Sequence, residues 1–282
     1  MNKTTQTMQQ PMPDYTAIKH KQQIAWSAGD YGRVGVTLQI SGEQLCEAMD
    51  LHAGQSVLDV AGGNGNVTLA AARRFCKVIS TDYVPALLAH SEQRAQAEGL
   101  AIEYQQADAE ALPFADNSFD NVVSTFGVMF APDQTSASSE LIRVCRAGGK
   151  IGLANWTPTG FIGQVFKTIG QYVSPPPGIN SPAAWGTMQF LQQHLGLQSS
   201  SLHMELRQFV FRYQSPQHWL DLFTTYYGPM LKAYEVLDEE TGEKLSRDLL
   251  NLIDQFNTAE DGTMVAPSEY LEVVATKKKV TG

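Results

Sequence analysis

Three carboxylates stand at matching places in the chain. Asp59 lies within VLDVAGGNGN (57–66), Asp82 follows 23 residues later in VISTDYVPALL, and Asp108 lies in ADAEALPF. The first two come with a short apolar run, where a strand would end, and the third follows the strand predicted at LAIEYQQ. The first acid precedes a turn of small residues, Ala61, Gly62, Gly63 and Gly65. Glycines there tolerate positive φ and carry no Cβ to obstruct a ligand. In an open parallel α/β sheet, ligands bind beyond the carboxyl ends of the strands, and the turn after the first strand lets backbone approach them. A carboxylate at the second strand end can accept from both ribose hydroxyls of an adenosine. One beside a free N–H at the third can accept from the adenine amino edge.

A dinucleotide site shares the first two features. Its fingerprint, G-x-G-x-x-G, counted from Gly63 and Gly65, needs glycine where this chain has Thr68. Three acids without that glycine suit a nucleoside that carries positive charge and no phosphate. A dinucleotide-dependent oxidoreductase stands as the competing reading.

The elements that must position these residues alternate as βαβ units, the pattern of a mainly parallel sheet. Val57–Val60 predicts a first strand, and Val67, Ala70, Ala71 and Phe75 the apolar face of the helix after the turn. Val78–Thr81 is the second strand; Pro85 opens a helix with Leu87, Leu88 and Ala95 inward, and Gly99 stops it. LAIEYQQ and FDNVVSTFGV predict the third and fourth strands, LIRVCRAGG a helix end closed by Gly148 and Gly149, and KIGLANW a fifth strand. Beyond Trp156 an insertion rich in Gly, Pro and aromatic residues includes VSPPPGINSP, a stiff connection. LRQFVFRY predicts a sixth strand, Pro216 to about Phe256 a long helical region, and YLEVVAT the last strand.

Composition limits the partners. Of 282 residues 43% are hydrophobic and 17% charged, which supplies a core and excludes global disorder. A formal charge of -9 repels a phosphate backbone, so nucleic acid is not an expected partner. The one basic run, Lys277 to Lys279, reads as a solvated tail. Cys46, Cys76 and Cys145 lack paired spacing and read as buried thiols in a reducing compartment. The six histidines show no metal spacing, and no metal is expected. The N-terminus lacks the apolar core of a secretory signal, and no run suits a membrane span, so the expected location is cytoplasmic.

VLDVAGGNGN, VISTDYVPALL, ADAEALPFADNSFDNVVSTFGVMF and LIRVCRAGGKIGLANW together resemble the class I S-adenosylmethionine-dependent methyltransferases, most like the ubiquinone and menaquinone C-methyltransferase group. The similarity covers about residues 55–156. The chain departs at Ala61, usually glycine, and at Ala147, usually proline; neither change removes a ligand group.

The resemblance implies a Rossmann-like doubly wound α/β fold: a mainly parallel seven-stranded sheet with an antiparallel last strand and a helical cap. It implies an N-terminal tail and cap element over 1–50, a cofactor-binding core over 51–156, cap insertions with the sixth strand on the substrate side over 157–258, and the last strand and basic tail over 259–282. The implied cofactor is S-adenosylmethionine, its product S-adenosylhomocysteine. Asp59 and the Ala61–Gly65 turn would hold the methionine part, Asp82 the ribose and Tyr83 the adenine face. Asp108 with the Ala109 N–H would read the adenine edge, and Thr125 and Phe126 would approach the sulfonium. Trp26 and Tyr31, in WSAGDYGRVG, would face the cofactor from a cap element; core packing explains Trp26 equally well.

Substrate information is expected outside this core. Trp156, Tyr172, Trp185, Tyr226 and Tyr227 are candidates for an aromatic-lined pocket that takes a small apolar or aromatic acceptor, methylated on oxygen or carbon. Packing of the cap on the sheet is the alternative for each. STFG after the fourth strand, in place of the N-P-P-Y form, argues against macromolecular amine methylation. No catalytic base and no oligomeric state are assigned. A module that binds the cofactor without turnover remains the alternative function.

Overall fold

The computed structural model describes residues 13–279; the expected tail residues through 12 and after 279 lie outside them. Seven strands, β1 (Ser56–Val60), β2 (Lys77–Asp82), β3 (Ile102–Gln106), β4 (Phe119–Thr125), β5 (Cys145–Trp156), β6 (Ser199–Tyr213) and β7 (Met264–Lys277), form one sheet in the order β3-β2-β1-β4-β5-β7-β6. β7 runs antiparallel to β5 and β6, and the remaining pairs are parallel. Val57, Leu58, Val60, Val122 and Val123 are wholly buried, as strands covered on both faces require. The strand order reverses between β1 and β4, and a crevice opens beyond their carboxyl ends.

In chain order the helices are α1 (Tyr15–Ser27), α2 (Tyr31–Gly35), α3 (Gln39–Ala48), α4 (Asn66–Arg73), α5 (Pro85–Glu98), α6 (Gln134–Val144), α7 (Phe161–Tyr172), α8 (Met188–Leu195), α9 (Pro216–Tyr226), α10 (Gly228–Glu235) and α11 (Glu239–Phe256). α5 starts on Pro85 and ends at Gly99, whose φ of 67° gives the left-handed stop that the sequence predicts. The pair α1–α2 docks on the junction of α9 and α10. Asp30 N donates to Tyr226 O at 3.0 Å, and a Cβ on Gly228 would stand 1.9 Å from Ala25 O, so only glycine fits there.

Four expectations are corrected. Phe75 lies past the end of α4 at φ 59° and is 80% exposed, because the chain turns at Arg74 to enter β2. α6 stops at Val144, and Cys145–Trp156 is strand: the β4–β5 ladder shifts register between Phe119 and Asn121, and Gly148, at φ 76°, turns the chain inside that irregularity. The region from Pro216 is three helices, because Gly228 and Pro229 start a new one and the Asp238 side chain caps another by accepting from Thr241 N. Lys277 is not part of a solvated tail. It ends β7, and its Nζ donates to Ile142 O and Cys145 O at 2.7 and 2.8 Å, capping α6.

Among the described residues no helix is long and apolar enough to cross a membrane.

Candidate functional site

The turn after β1 is built from backbone. Ala61, Gly63 and Gly65 have φ of 53°, 57° and 86°, a left-handed path that lets α4 begin at Asn66. Ala61 takes this path despite its Cβ, at a cost of roughly 1–2 kcal/mol. Gly63 N donates to Asp82 Oδ2 at 3.0 Å, and Asp82 Oδ1 accepts from Val84 N at 2.9 Å. These bonds fix the second acid at the lip of the turn. Burial pushes the Asp82 carboxyl up to about 6 against the pull of its backbone donors.

Asp59 does not face the crevice, which corrects the expectation of direct contact. It is wholly buried, with Gly62 above it and so close that a Cβ there would stand 2.8 Å from Asp59 Oδ2. Thr68 Oγ1 donates to Asp59 Oδ2, and Asp59 Oδ1 has no partner among the described residues. Burial pushes this carboxyl up to about 7; the Thr68 bond lowers it and nearby Asp82 raises it. Gly65 also lies off the crevice, against Ser91 and Leu69. The two residues shape the turn from beneath.

A cleft lies above the strand ends. Ala61, Gly62, Gly63, Asp82, Tyr83, Asp108, Ala109, Thr125 and Phe126 line it, together with Trp26 and Tyr31 from the N-terminal elements. Asp108 follows β3 and accepts from Glu110 N at 2.9 Å. Lys19, in α1, reaches it across 89 residues: Nζ donates to Asp108 Oδ2 at 2.6 Å and to Glu110 Oε2 at 2.8 Å. Gln22 donates to Phe130 O and Gln23 to Tyr83 O, so three side chains hold α1 over the cleft. Asn66 donates to Gly35 O at 2.7 Å, and Arg94 donates to Asn64 O and to Asn66 Oδ1, which ties α2 and α5 to the glycine turn. The sequence carries no periodicity that would single out Lys19, Asn66 or Arg94.

Behind the cleft an inner chamber shares Trp26, Tyr31, Leu38, Phe126 and Phe130 with it. Trp156 and Tyr227 line this chamber. Phe126 stacks flat on Trp156, centroids 4.0 Å apart and planes 8° apart, and Trp26, Tyr31 and Tyr227 meet ring against ring at its mouth. The other three expected pocket residues line neither cavity. Trp185 is wholly buried, 5.1 Å from the Phe190 ring, where packing explains it. Tyr172 hydrogen-bonds to Asp248 between α7 and α11, and the Tyr226 ring receives the Arg33 guanidinium at 4.8 Å.

A family model described as a methyltransferase domain matches residues 58–153. The uncharacterised protein Rv1405c of Mycobacterium tuberculosis is 37% identical over 282 residues, covering 96% of this chain and 100% of that protein. Demethylmenaquinone methyltransferase of Thermus thermophilus is 33% identical over 153 residues, 52% of this chain and 70% of the enzyme. The chain belongs to the class I S-adenosylmethionine-dependent methyltransferases. Its cofactor is S-adenosylmethionine. The YcgJ protein of Bacillus subtilis shares the fold, with a TM-score of 0.60 at 18% identity over 85% of the methyltransferase and 98% of that chain. So does a phosphoethanolamine N-methyltransferase of Haemonchus contortus in complex with S-adenosyl-L-methionine, with a TM-score of 0.53 at 18% identity over 85% and 52%.

The residues present fit this cofactor. The floor of the cleft is glycine backbone, and the buried Asp82 carboxylate is held by donors of the protein with lone pairs to spare for hydroxyls.

Proposed function

We propose that the methyltransferase binds S-adenosylmethionine in the cleft and methylates a small, apolar or aromatic acceptor held in the inner chamber, on oxygen or carbon. Asp82 accepts from the ribose hydroxyls, Tyr83 lies against adenine, and Asp108 with the Ala109 N–H reads the adenine edge. Ala61, Gly62 and Gly63 pass beside the methionine part, while Thr125, Phe126, Trp26 and Tyr31 enclose the sulfonium side. The cofactor, when bound, supplies an electrophilic methyl group. What the protein adds is alignment and exclusion of water.

The observation that carries this reading is the wall common to the two cavities, since an acceptor in the chamber lies next to whatever occupies the cleft. Among the described residues no charged side chain lines the chamber. A phosphate would enter with no cationic side chain to pair with, at a cost of several kcal/mol, and an amine cation would meet only the faces of aromatic rings.

Transfer of labelled methyl from S-adenosylmethionine to a panel of acceptors tests the proposal. Apolar hydroxyaromatic and quinol compounds are expected to be labelled; glycine and phosphoethanolamine are not. Labelling of the charged amines alone overturns it.

A further inference from the structure

The inner chamber holds few heteroatoms. Among its lining side chains these are the hydroxyls of Tyr31 and Tyr227 and the indole N–H groups of Trp26 and Trp156; the rest are aliphatic or phenyl. Among the described residues no Asp, Glu, His, Lys or Arg lines it. All four groups can donate a hydrogen bond, and the indoles can do nothing else. The chamber therefore suits an oxygen that accepts, and it holds no group fit to remove a proton at neutral pH.

The two tyrosines stand where such an oxygen is needed. Tyr31 lines both cavities and Tyr227 the inner one, with ring centroids 6.2 Å apart and Trp26 beside both at 5.5 and 5.4 Å. Neither hydroxyl makes a hydrogen bond among the described residues. Both rings keep some accessible surface although they lie deep in the protein, because they face the cavity.

We propose that the acceptor is an apolar ring compound bearing a weakly acidic hydroxyl, and that Tyr31 and Tyr227 hold its oxygen at the junction of the two cavities, with no protein base taking part. This rests on the function proposed above and narrows its acceptor. The oxygen, its proton already lost to bulk water, supplies the electron pair of the new O–C bond while the pair of the broken S–C bond stays on sulfur. An oxyanion and a sulfonium thereby become a neutral ether and a neutral thioether.

The surroundings keep both tyrosines as donors. Burial pushes Tyr31 up to about 12, with Asp82 of β2 adding to the rise, and raises Tyr227, with Tyr31 adding. Asp108, Glu110 and Lys19 stand at the cleft, and Asp30 and His90 pair beside α2. Around Tyr227 the chamber is otherwise apolar rings and aliphatic chains from α7, α9, β5 and β6.

Two experiments test this. Calorimetry on protein saturated with S-adenosylhomocysteine compares 2-naphthol with 2-methylnaphthalene, which has the same outline without the hydroxyl. Naphthol is expected to bind about tenfold more tightly, the worth of one or two net hydrogen bonds. Tyr227→Phe should reduce that preference to within about twofold while S-adenosylhomocysteine affinity stays the same. The second experiment uses the wild-type protein: methyl transfer is followed against pH with naphthols of graded acidity. The rising limb should move with each acceptor's own acidity. Equal binding of the two probes, binding of neither, a rising limb fixed at one pH for all acceptors, or no methylation of any naphthol overturns the inference. If 2-methylnaphthalene binds as well as naphthol, the apolar chamber still stands as the acceptor site; labelling of charged amines alone removes both proposals.

Discussion

The hydroxyl of Thr68 donates to the buried carboxylate of Asp59 and lies 2.9 Å from Ser80 Oγ, so one side chain of α4 ties together the ends of β1 and β2. A dinucleotide-binding turn would have glycine at that position. Here the residue supports the acid from below, and the turn above it stays clear. Thr68→Val keeps the shape and removes the donor to Asp59. The expected cost is about 1–3 kcal/mol, since a buried acceptor loses its partner. For a chain of this size that lowers Tm by roughly 2–4 °C per kcal/mol. Thr68→Ser should recover most of it. Equal melting temperatures for the valine variant and wild type would show that the bond contributes nothing.

Both buried acids make unliganded stability depend on pH in an unusual direction. Burial raises Asp59 to about 7 and Asp82 to about 6, above the ordinary aspartate value of about 3.9. Between about pH 4 and 7 the folded state therefore holds more protons than the unfolded one. Stability contributed by these groups is fully present below about 4, falls as pH rises, and levels off above about 7. Glu98, Asp120, Asp133 and Glu140, held below their usual values, act oppositely and lose their contribution in acid. Denaturant unfolding from pH 4.5 to 7.5 should show a smaller decline for Asp59→Asn than for wild type. Identical slopes would mean that Asp59 ionises normally.

Cofactor affinity should follow Asp82. Only the ionised carboxylate accepts from both ribose hydroxyls without also having to donate. S-adenosylhomocysteine affinity is expected to fall below about pH 6, by at most tenfold per pH unit. Asp82→Ala should weaken binding roughly tenfold to a hundredfold and remove that pH dependence, because charged hydrogen bonds contribute about 1.5–3 kcal/mol. Calorimetry at pH 5 and 7.5 on both proteins measures each effect. Unchanged affinity in a folded variant would place the ribose on other groups.

The sheet was legible because its signals are local. Asp82 comes at a strand end that an apolar run marks, Asp108 follows a short strand in the βαβ rhythm, and Pro85 and Gly99 delimit α5 by backbone chemistry alone. Contacts between distant elements leave no such trace. Lys19 meets Asp108 across 89 residues, and α1, which buries no residue fully, shows little apolar periodicity to place it over the cleft. Trp185 and Trp156 are the same residue type in the same half of the chain; only the folded structure separates the one at the chamber from the one behind it.

Lys19 gives a kinetic prediction. Its two ion pairs, partly open to solvent, hold α1 against the loop after β3. Exposed pairs contribute up to about 1 kcal/mol each. Lys19→Met should therefore speed S-adenosylhomocysteine release roughly threefold to tenfold, with little change in melting temperature. Stopped-flow dissociation reads this directly. An unaltered off-rate would mean that α1 does not gate the cleft.

Trp185 and Trp156 should respond differently to truncation, although both are buried. Trp185 packs beside Phe190, and its Nε1 has no partner among the described residues, so the indole acts there as apolar volume. Trp185→Ala is expected to cost ~3–5 kcal/mol of stability and to leave turnover per folded molecule within about twofold. Trp156 stacks on Phe126, whose ring walls both cavities. Its removal frees Phe126 to tilt and opens the chamber next to the cleft, so Trp156→Ala should lose turnover well beyond its loss of stability, with S-adenosylhomocysteine affinity within about twofold. Melting temperature, cofactor affinity and turnover measured on both variants separate the two roles. A turnover loss in Trp185→Ala as large as in Trp156→Ala would show that the acceptor site extends beyond the inner chamber.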